Sequence, residues 1–205
     1  MIKKIFSFLQ RLSSQPLVGG LEISDSAIRF LQIEGEKTKT ASLRLPPGIV
    51  LDGKINDRQN FLAALKAVRL QLAGLKTGQK VHVIVSLPVS VVYSQSFNIP
   101  TISQENIKEA AELNLQMISP ISLEKAYSDW QVVNPDINHQ KEILGAFAEK
   151  VIVDDYDRIL RESGFLPVAF EFPAFSLTRL VKELGPAIDM DKSYLLVNVS
   201  TDGLN

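Results

Sequence analysis

The chain of 205 residues contains no cysteine, which excludes disulfides, thiolate nucleophiles and cysteine-ligated metal sites and fits a reducing compartment. Histidine is nearly absent. His82 falls in an expected strand and His139 in a polar stretch, and neither has partners at ligand spacing, so no metal site is assigned. An excess of charge of one sign is also missing. With 22 Lys and Arg against 23 Asp and Glu the net charge is -1, so the chain lacks the basic footprint of a nucleic-acid binder. No apolar run approaches the roughly 20 residues of a membrane-spanning helix. The opening MIKKIFSFLQRL lacks the continuous apolar core and small-residue cleavage site of a signal peptide. No Ser-His-Asp, Cys-His or Walker-type constellation occurs, so no catalytic residue is assigned.

What is present is a chain 45% hydrophobic and 22% charged, as in a globular protein of one large or two small domains. Its organising stretch is Val18–Ile33. An apolar strand from Val18 to Ile23 meets the turn Ser24-Asp25-Ser26, and a second strand runs from Ala27 to Ile33. The turn's backbone N–H groups, its Ser hydroxyls and nearby Arg29 could form a small anion-binding concavity; an ordinary surface hairpin is the alternative. Near the other end, the apolar strand Tyr194–Val199 is followed by Ser200-Thr201-Asp202-Gly203. Asp-Gly after a strand signals a hairpin, yet only Leu204 and Asn205 follow. A return strand is missing, and the chain reads as the N-terminal part of a longer protein cut inside a second hairpin.

Between these ends the elements follow from spacing. Ile2, Ile5, Phe6, Leu9 and Leu12 recur at helical intervals with Lys3, Lys4 and Arg11 elsewhere on the wheel. Residues 2–12 therefore read as a basic amphipathic helix for a membrane surface or a partner, or for packing on the protein's own body. A third strand near Lys39–Leu45 ends at Pro46-Pro47-Gly48, taken as the crossing into a second subdomain. Asn56 or Asp57 caps a helix bearing Phe61, Leu65, Val68 and Leu72 on one face. Val81–Leu87 and Val91–Ile99 are strands. Ser103 caps a helix with Ile107, Ala111, Leu115 and Ile118 buried. Ser128–Val133 and Glu142–Glu149 are strands joined by the polar loop Asn134–Lys141. A helix from Val151 to Ser163 ends at Gly164, Val168–Phe172 is a strand, and Pro173 opens the next helix. Asp154, Asp155 and Asp157 read as a solvated helix start. Trp130 and the Phe-rich Phe165–Phe175 read as core or subdomain interface, with a peptide groove as the alternative.

Two Ser/Asp hairpins at the ends of an α/β unit resemble the phosphate loops of the actin-like ATPase superfamily, and within it the closest resemblance is to the PilM family of type IV pilus assembly. Gly20-Leu21-Glu22-Ile23-Ser24 stands where that family commonly has Gly-Ile-Asp-Ile-Gly, with Arg29 in the Lys position. Asn198 and Ser200 stand at the Asp and Gly of the second loop. The blocks LPPGIVLDGKINDRQNFLAALKAV, SLPVSVVYSQSFNIPTISQENIKEAAELNLQMISPISLEKAYSDWQVV and FLPVAFEFPAFSLTRLV carry the resemblance in detail. It implies an α/β fold: an actin-like (RNase H-like) subdomain 1A from 17–45 and 166–205, an inserted α+β subdomain 1C (SHS2-like) over 46–165, and an amphipathic helix at 1–16. The second actin-like half would follow the truncation.

The resemblance also implies a nucleotide site that has degenerated. Glu22 moves the first carboxylate out by one methylene, which matters for Mg²⁺-bound water. Asn198 removes the second charge, Ser24 and Ser200 place a Cβ where glycine lets backbone approach phosphate, and Arg29 does not replace Lys. Glu22, Ser24, Asp25, Ser26, Arg29, Asn198, Ser200 and Thr201 are the candidate nucleotide residues. ATP with Mg²⁺ is a cofactor of the full-length protein at most, with none expected for this fragment, and efficient hydrolysis is not expected. The family role so implied is a cytoplasmic scaffold at the inner-membrane face. It binds the cytoplasmic tail of a PilN-like membrane protein between the two subdomains, and contacts other pilus assembly proteins. Alternatives are an active actin-like ATPase or phosphotransferase, a GspL-like secretion scaffold and an FtsA-like division scaffold.

Overall fold

A computed structural model describes residues 16–72, 74–75, 78–101, 104–137 and 140–183, with 192, 194, 195, 197, 199, 200, 203 and 204. Residues 2–12, expected to form the amphipathic helix, and Ser103 lie outside the described residues. Strands β1 (Val18–Ile23), β2 (Ala27–Glu34) and β3 (Lys37–Arg44) form an antiparallel meander. The alternation of β1 and β2 puts Leu21, Ile23, Ile28 and Phe30 on one face, all nearly inaccessible, and Glu22, Arg29, Leu31 and Ile33 on the other. A small ribbon, β4 (Val50–Leu51) with β5 (Lys54–Ile55), leads into helix α1 (Arg58–Leu70). Asp57 caps that helix by accepting from the Asn60 N–H at 3.0 Å. Phe61, Leu65 and Val68 of α1 are buried on the inner sheet face, with Leu72 just beyond the helix.

The next strand, β6 (Val81–Ser86), pairs in parallel with β1, and β10 (Phe165–Glu171) pairs in parallel with β6. The result is one five-stranded sheet in the order β10-β6-β1-β2-β3. Helix α3 (Lys150–Ser163) lies beside α1, sinking Ile152, Val153, Tyr156, Ile159 and Leu160 into the same core. Gly164 closes α3 in the left-handed region at φ 93°, which glycine adopts without strain.

This sheet corrects the expected division at 46–165. The ribbon, α1, β6 and α3 all fall within that span, yet they build the first core. Alternation in Val81–Ser86 announces a strand facing apolar neighbours on one side, but does not say which strands it joins.

What does stand apart is a second sheet, β7 (Val92–Pro100), β9 (Gln140–Glu149) and β8 (Ala126–Ile137), in the order β7-β9-β8. Helix α2 (Gln104–Ile118) covers one of its faces. Ile99, Ile107 and Ile143 centre this small core, with Phe97, Trp130 and Val132 packed on it. Trp130, expected in core or at a subdomain interface, is half-buried against this core and also borders the space between the two sheets. The expected polar loop Asn134–Lys141 is mostly strand: β8 continues to Ile137 and β9 starts at Gln140, because backbone pairing carries polar residues along a ladder that their side chains alone do not signal. The ladder is irregular there, with register shifts between Val132 and Asn134 and between Asn134 and Ile137.

Helix α4 (Pro173–Glu183) begins at the expected proline. Of the expected strand Tyr194–Val199, Tyr194, Leu195 and Val197 are outside any strand, and exposed. Only Val199 and Ser200 pair (β11), with Gly203–Leu204 (β12), so a two-residue return strand exists where none was expected. Among the described residues this ribbon pairs with neither larger sheet.

Candidate functional site

The second sheet has two unlike faces. Ile143, Gly145 and Phe147 of β9 point to α2, and a Cβ on Gly145 would come within 2.5 Å of Leu115 Cδ2. Leu144, Ala146 and Ala148 point the other way. Register places Tyr127, Asp129 and Gln131 of β8 beside Ala148, Ala146 and Leu144, and Val92, Ser94 and Ser96 of β7 on their other side. That face is the floor of a cleft of about 1470 Å³. Its far wall comes from the first body: Val153, Asp154 and Asp157 of α3, Phe170 and Glu171 of β10, Phe172, and Phe175 and Arg179 of α4.

The wall is held in place by local bonds. Phe172 and Phe175 rings lie 4.3 Å apart between centroids. Glu171 accepts from Ser176 Oγ at 2.8 Å and pairs with Arg179. Across the cleft, the Tyr127 hydroxyl donates to Asp154 Oδ1 at 2.9 Å, tying β8 to α3. Asp154, by hydrogen bond first and then by charge, holds the Tyr127 phenol above its usual range. Lys150 Nζ sits 5.7 Å from the Tyr127 ring centroid and donates to the Glu124 carbonyl. A cleft with two alanines in its floor, aromatic side chains on its wall and an edge strand beside it can take an extended peptide. Sequence reading placed Phe170, Phe172 and Phe175 as possible lining, but treated Asp154 and Asp157 as a solvated helix start. They do sit on an outer helix face, and that face is the cleft wall.

The first loop lies elsewhere. Glu22, Ser24, Asp25, Ser26 and Arg29 are together at one end of the β1–β2 hairpin. Arg29 Nη1 donates to Glu22 Oε2 at 2.9 Å across the strands, both side chains being about half exposed. Inside the turn the Ser24 N–H donates to the Ala27 carbonyl at 2.9 Å, and the Ala27 N–H to Ser24 Oγ at 3.1 Å. Asp25 Oδ1 accepts from the Gly53 N–H at 2.9 Å. The Ser24 N–H of the turn and the first N–H of β2 are thus spent locally, and the turn's one carboxylate is turned to the β4–β5 ribbon. Glu22 and Arg29 also border a smaller cleft of about 740 Å³ on the outer sheet face, shared with Ser86, Glu171, Ser176 and Leu180. Of the second-loop residues, Ser200 lies in β11, and Asn198 and Thr201 fall outside the described residues. His82 is in β6, and His139 is outside the described residues. Among the described residues no three potential metal ligands come together, and no helix is long and apolar enough to cross a membrane.

Gly53 connects the two regions. Its carbonyl accepts from the Tyr156 hydroxyl at 2.8 Å, so Asp25, Gly53 and Tyr156 form a chain from the first loop to α3. Burial, with the Asp25 charge second, pushes the Tyr156 phenol up. The folded state therefore holds this proton more tightly than the unfolded one. Stability from this source is full below the unfolded phenol pKa of about 10 and is lost as pH rises above it. Melting temperatures measured from pH 8 to 11 should fall at the alkaline end, with a flatter slope in Tyr156→Phe.

Comparison with known proteins follows the same outline. Among solved structures, a PilM–PilN type IV pilus biogenesis complex matches with a TM-score of 0.68 at 22% identity, covering 82% of this chain and 51% of the other. The chain thus spans about half the length of that relative. The cytoplasmic domain of EpsL, an inner membrane component of the type II secretion system of Vibrio cholerae, matches with a TM-score of 0.49 at 13% identity over 75% of this chain and 56% of the other. A Bacteroides thetaiotaomicron protein with actin-like ATPase fold and unknown function matches at 0.38 and 12% identity over 84% and 57%. No curated protein sequence is a match. The family model described as type IV pilus assembly protein PilM matches residues 20–204, and the chain belongs to that family.

Proposed function

We propose that this chain is a scaffold that holds the cytoplasmic tail of a PilN-like inner-membrane protein within a pilus assembly machine, seating the tail in the cleft between the two sheets. The cleft itself carries the reading: it is large enough for an extended segment, floored by Leu144, Ala146 and Ala148, and edged by β8. An extended tail would gain main-chain hydrogen bonds along that edge and place alternate side chains in the apolar pockets by Phe170 and Phe175. The similarity to a PilM–PilN complex supports the same partner. Residence at the cytoplasmic face of the inner membrane, and surface contact through residues 2–12, go with this role. The nucleotide site belongs to the proposal as a weak one. Glu22 is occupied by Arg29, and Ser24 stands where a phosphate would need bare backbone, so ATP with Mg²⁺ in the full protein would bind without efficient turnover.

Calorimetric titration with the N-terminal tail peptide of the PilN-like protein encoded beside this gene tests the reading. Saturable one-to-one binding is expected, lost on scrambling the peptide. Ala146→Phe fills the middle of the floor and should weaken binding at least tenfold with little change in melting temperature. Equal affinity in Ala146→Phe, or no binding to the folded wild type at high micromolar peptide, would place the tail elsewhere.

A further inference from the structure

The second sheet is joined to the first body by chain at one end only. The chain enters it at Val92, directly after Val91, which is buried in the first core. It leaves along β9, which passes into α3 with no connecting residue: Glu149 ends the strand and Lys150 begins the helix. Val92 and Ala148 oppose each other on one rung, so the two crossings lie on neighbouring strands about 5 Å apart. Two crossings this close define a line along the end of the sheet, and leave rotation around that line to other contacts. The rotation swings the face bearing Ala146 and Ala148 towards or away from Phe170 and Phe175, and so sets the width of the cleft. No side chain caps the start of α3, so the helix entry does not itself lock the angle.

Contacts that oppose this rotation come from β8, which has no direct chain connection to the first body. Its start is nevertheless tied there twice. The Tyr127 side chain stands on the cleft face beside Ala148, and its hydroxyl donates to Asp154 Oδ1, one turn into α3, at 2.9 Å. Lys150, the first residue of α3, donates from Nζ to the carbonyl of Glu124 in the turn before β8, and lies over the Tyr127 ring. The ring is thereby held in place. Its hydroxyl is a side-chain length away from the line of the two crossings, where one bond resists rotation with leverage. It spans the inside of the angle between β9 and α3 as a strut.

We propose that Tyr127 is a positioning residue: through its bond to Asp154 it sets the angle between the two bodies, and holds the cleft at the width that receives the tail before the tail arrives. This rests on the tail-binding function proposed above, and adds to it the device that forms the site in advance. A segment that meets the cleft at the right angle spends none of its binding energy on setting that angle. Its apparent affinity is proportional to the fraction of molecules already there. Releasing the strut lowers that fraction while the floor and the aromatic wall keep their own residues.

The test reads angle and affinity separately in the full-length chain. Nitroxide labels at Leu70→Cys in α1 and Met117→Cys in α2, in a background free of other cysteines, report the separation of the two bodies by pulsed electron resonance. Both positions are well exposed, at 83% and 79%, and neither lines the cleft. Without peptide, the wild type and Asp154→Asn, which keeps an acceptor for the hydroxyl, are expected to give one narrow distance distribution. Tyr127→Phe and Asp154→Ala should broaden it alike, and the two together should broaden it no further. Affinity for the tail peptide of the neighbouring PilN-like protein should fall about three- to tenfold in either variant, with unchanged melting temperature. Saturating peptide should narrow the distribution of Tyr127→Phe again. A wild-type distribution in Tyr127→Phe, a broad one at full affinity, or Asp154→Asn behaving as Asp154→Ala would overturn the strut and leave the cleft as the binding site. Failure of the peptide to bind a wild type of narrow distribution would overturn the tail-binding function, and the positioning role with it.

Discussion

Gly53→Ala is expected to lower the unfolding free energy by roughly 2–4 kcal/mol. Two independent effects add. The residue sits at φ 74°, in the left-handed region, where an alanine costs roughly 1 kcal/mol. A Cβ there would also stand 2.5 Å from Ser90 Oγ, 2.7 Å from Val91 Cγ1 and 3.0 Å from Pro88 Cβ. These neighbours belong to the short turn leading into the second sheet, and Val91 is itself buried, so relief requires backbone movement. Movement of Gly53 in turn strains the bonds it makes to Asp25 and Tyr156. Differential scanning calorimetry should show a fall of several degrees, about 2–4 °C per kcal/mol for a chain of this size. Gly48→Ala, also at positive φ (88°) but with nothing within 4 Å of an added Cβ, is the control for backbone strain alone, and an equal loss there would count against the packing argument.

Phe61→Ala should cost more, about 3–5 kcal/mol. The ring is fully buried in α1, and it meets Tyr156 of α3 edge to face with centroids 5.9 Å apart. Removing it leaves a cavity between the two helices that pack on the five-stranded sheet. Urea denaturation should show a lower midpoint with an unchanged slope. A loss below about 1 kcal/mol would mean that α1 and α3 pack less closely than their ring geometry indicates. Phe61→Leu, which retains most of the volume, is expected to recover more than half of the loss.

The legible part of this fold is the part written in local spacing. Phe61, Leu65 and Val68 announce α1, Asp57 its start, Gly164 the end of α3 and Pro173 the start of α4; each depends on neighbours within a few residues. The β1–β2 hairpin was likewise legible, because alternation and turn residues lie side by side. Partner choice over long distances was not. Val81–Ser86 reads equally well as a strand of either sheet, and only its pairing with Val18–Glu22 and Phe165–Glu171 puts it in the first. The candidate site suffers most from this. Asp129 and Asp154 are 25 positions apart on a strand and a helix of different bodies, and each alone is an ordinary surface acid. Ala146 is unremarkable until the register shows that it lies between Ser94 and Asp129 on an open face. The first-loop residues were legible as a group, and their mutual bonds were not: nothing in Ser24-Asp25-Ser26 tells that Asp25 is spent on Gly53.

The way the second sheet is joined to the first body has a consequence for how such a protein can change. The chain departs at Val92 and comes back at Ala148, and these two residues face each other across one rung of the β7–β9 ladder. Both also touch the first core. The whole excursion between them therefore starts and finishes at a single doorway, and the five-stranded sheet is the same length of chain with or without it. An insertion so mounted behaves as an exchangeable cassette. Its strands, helix and charged edge can be rewritten to suit a new tail, while the body that anchors the doorway keeps its own core untouched.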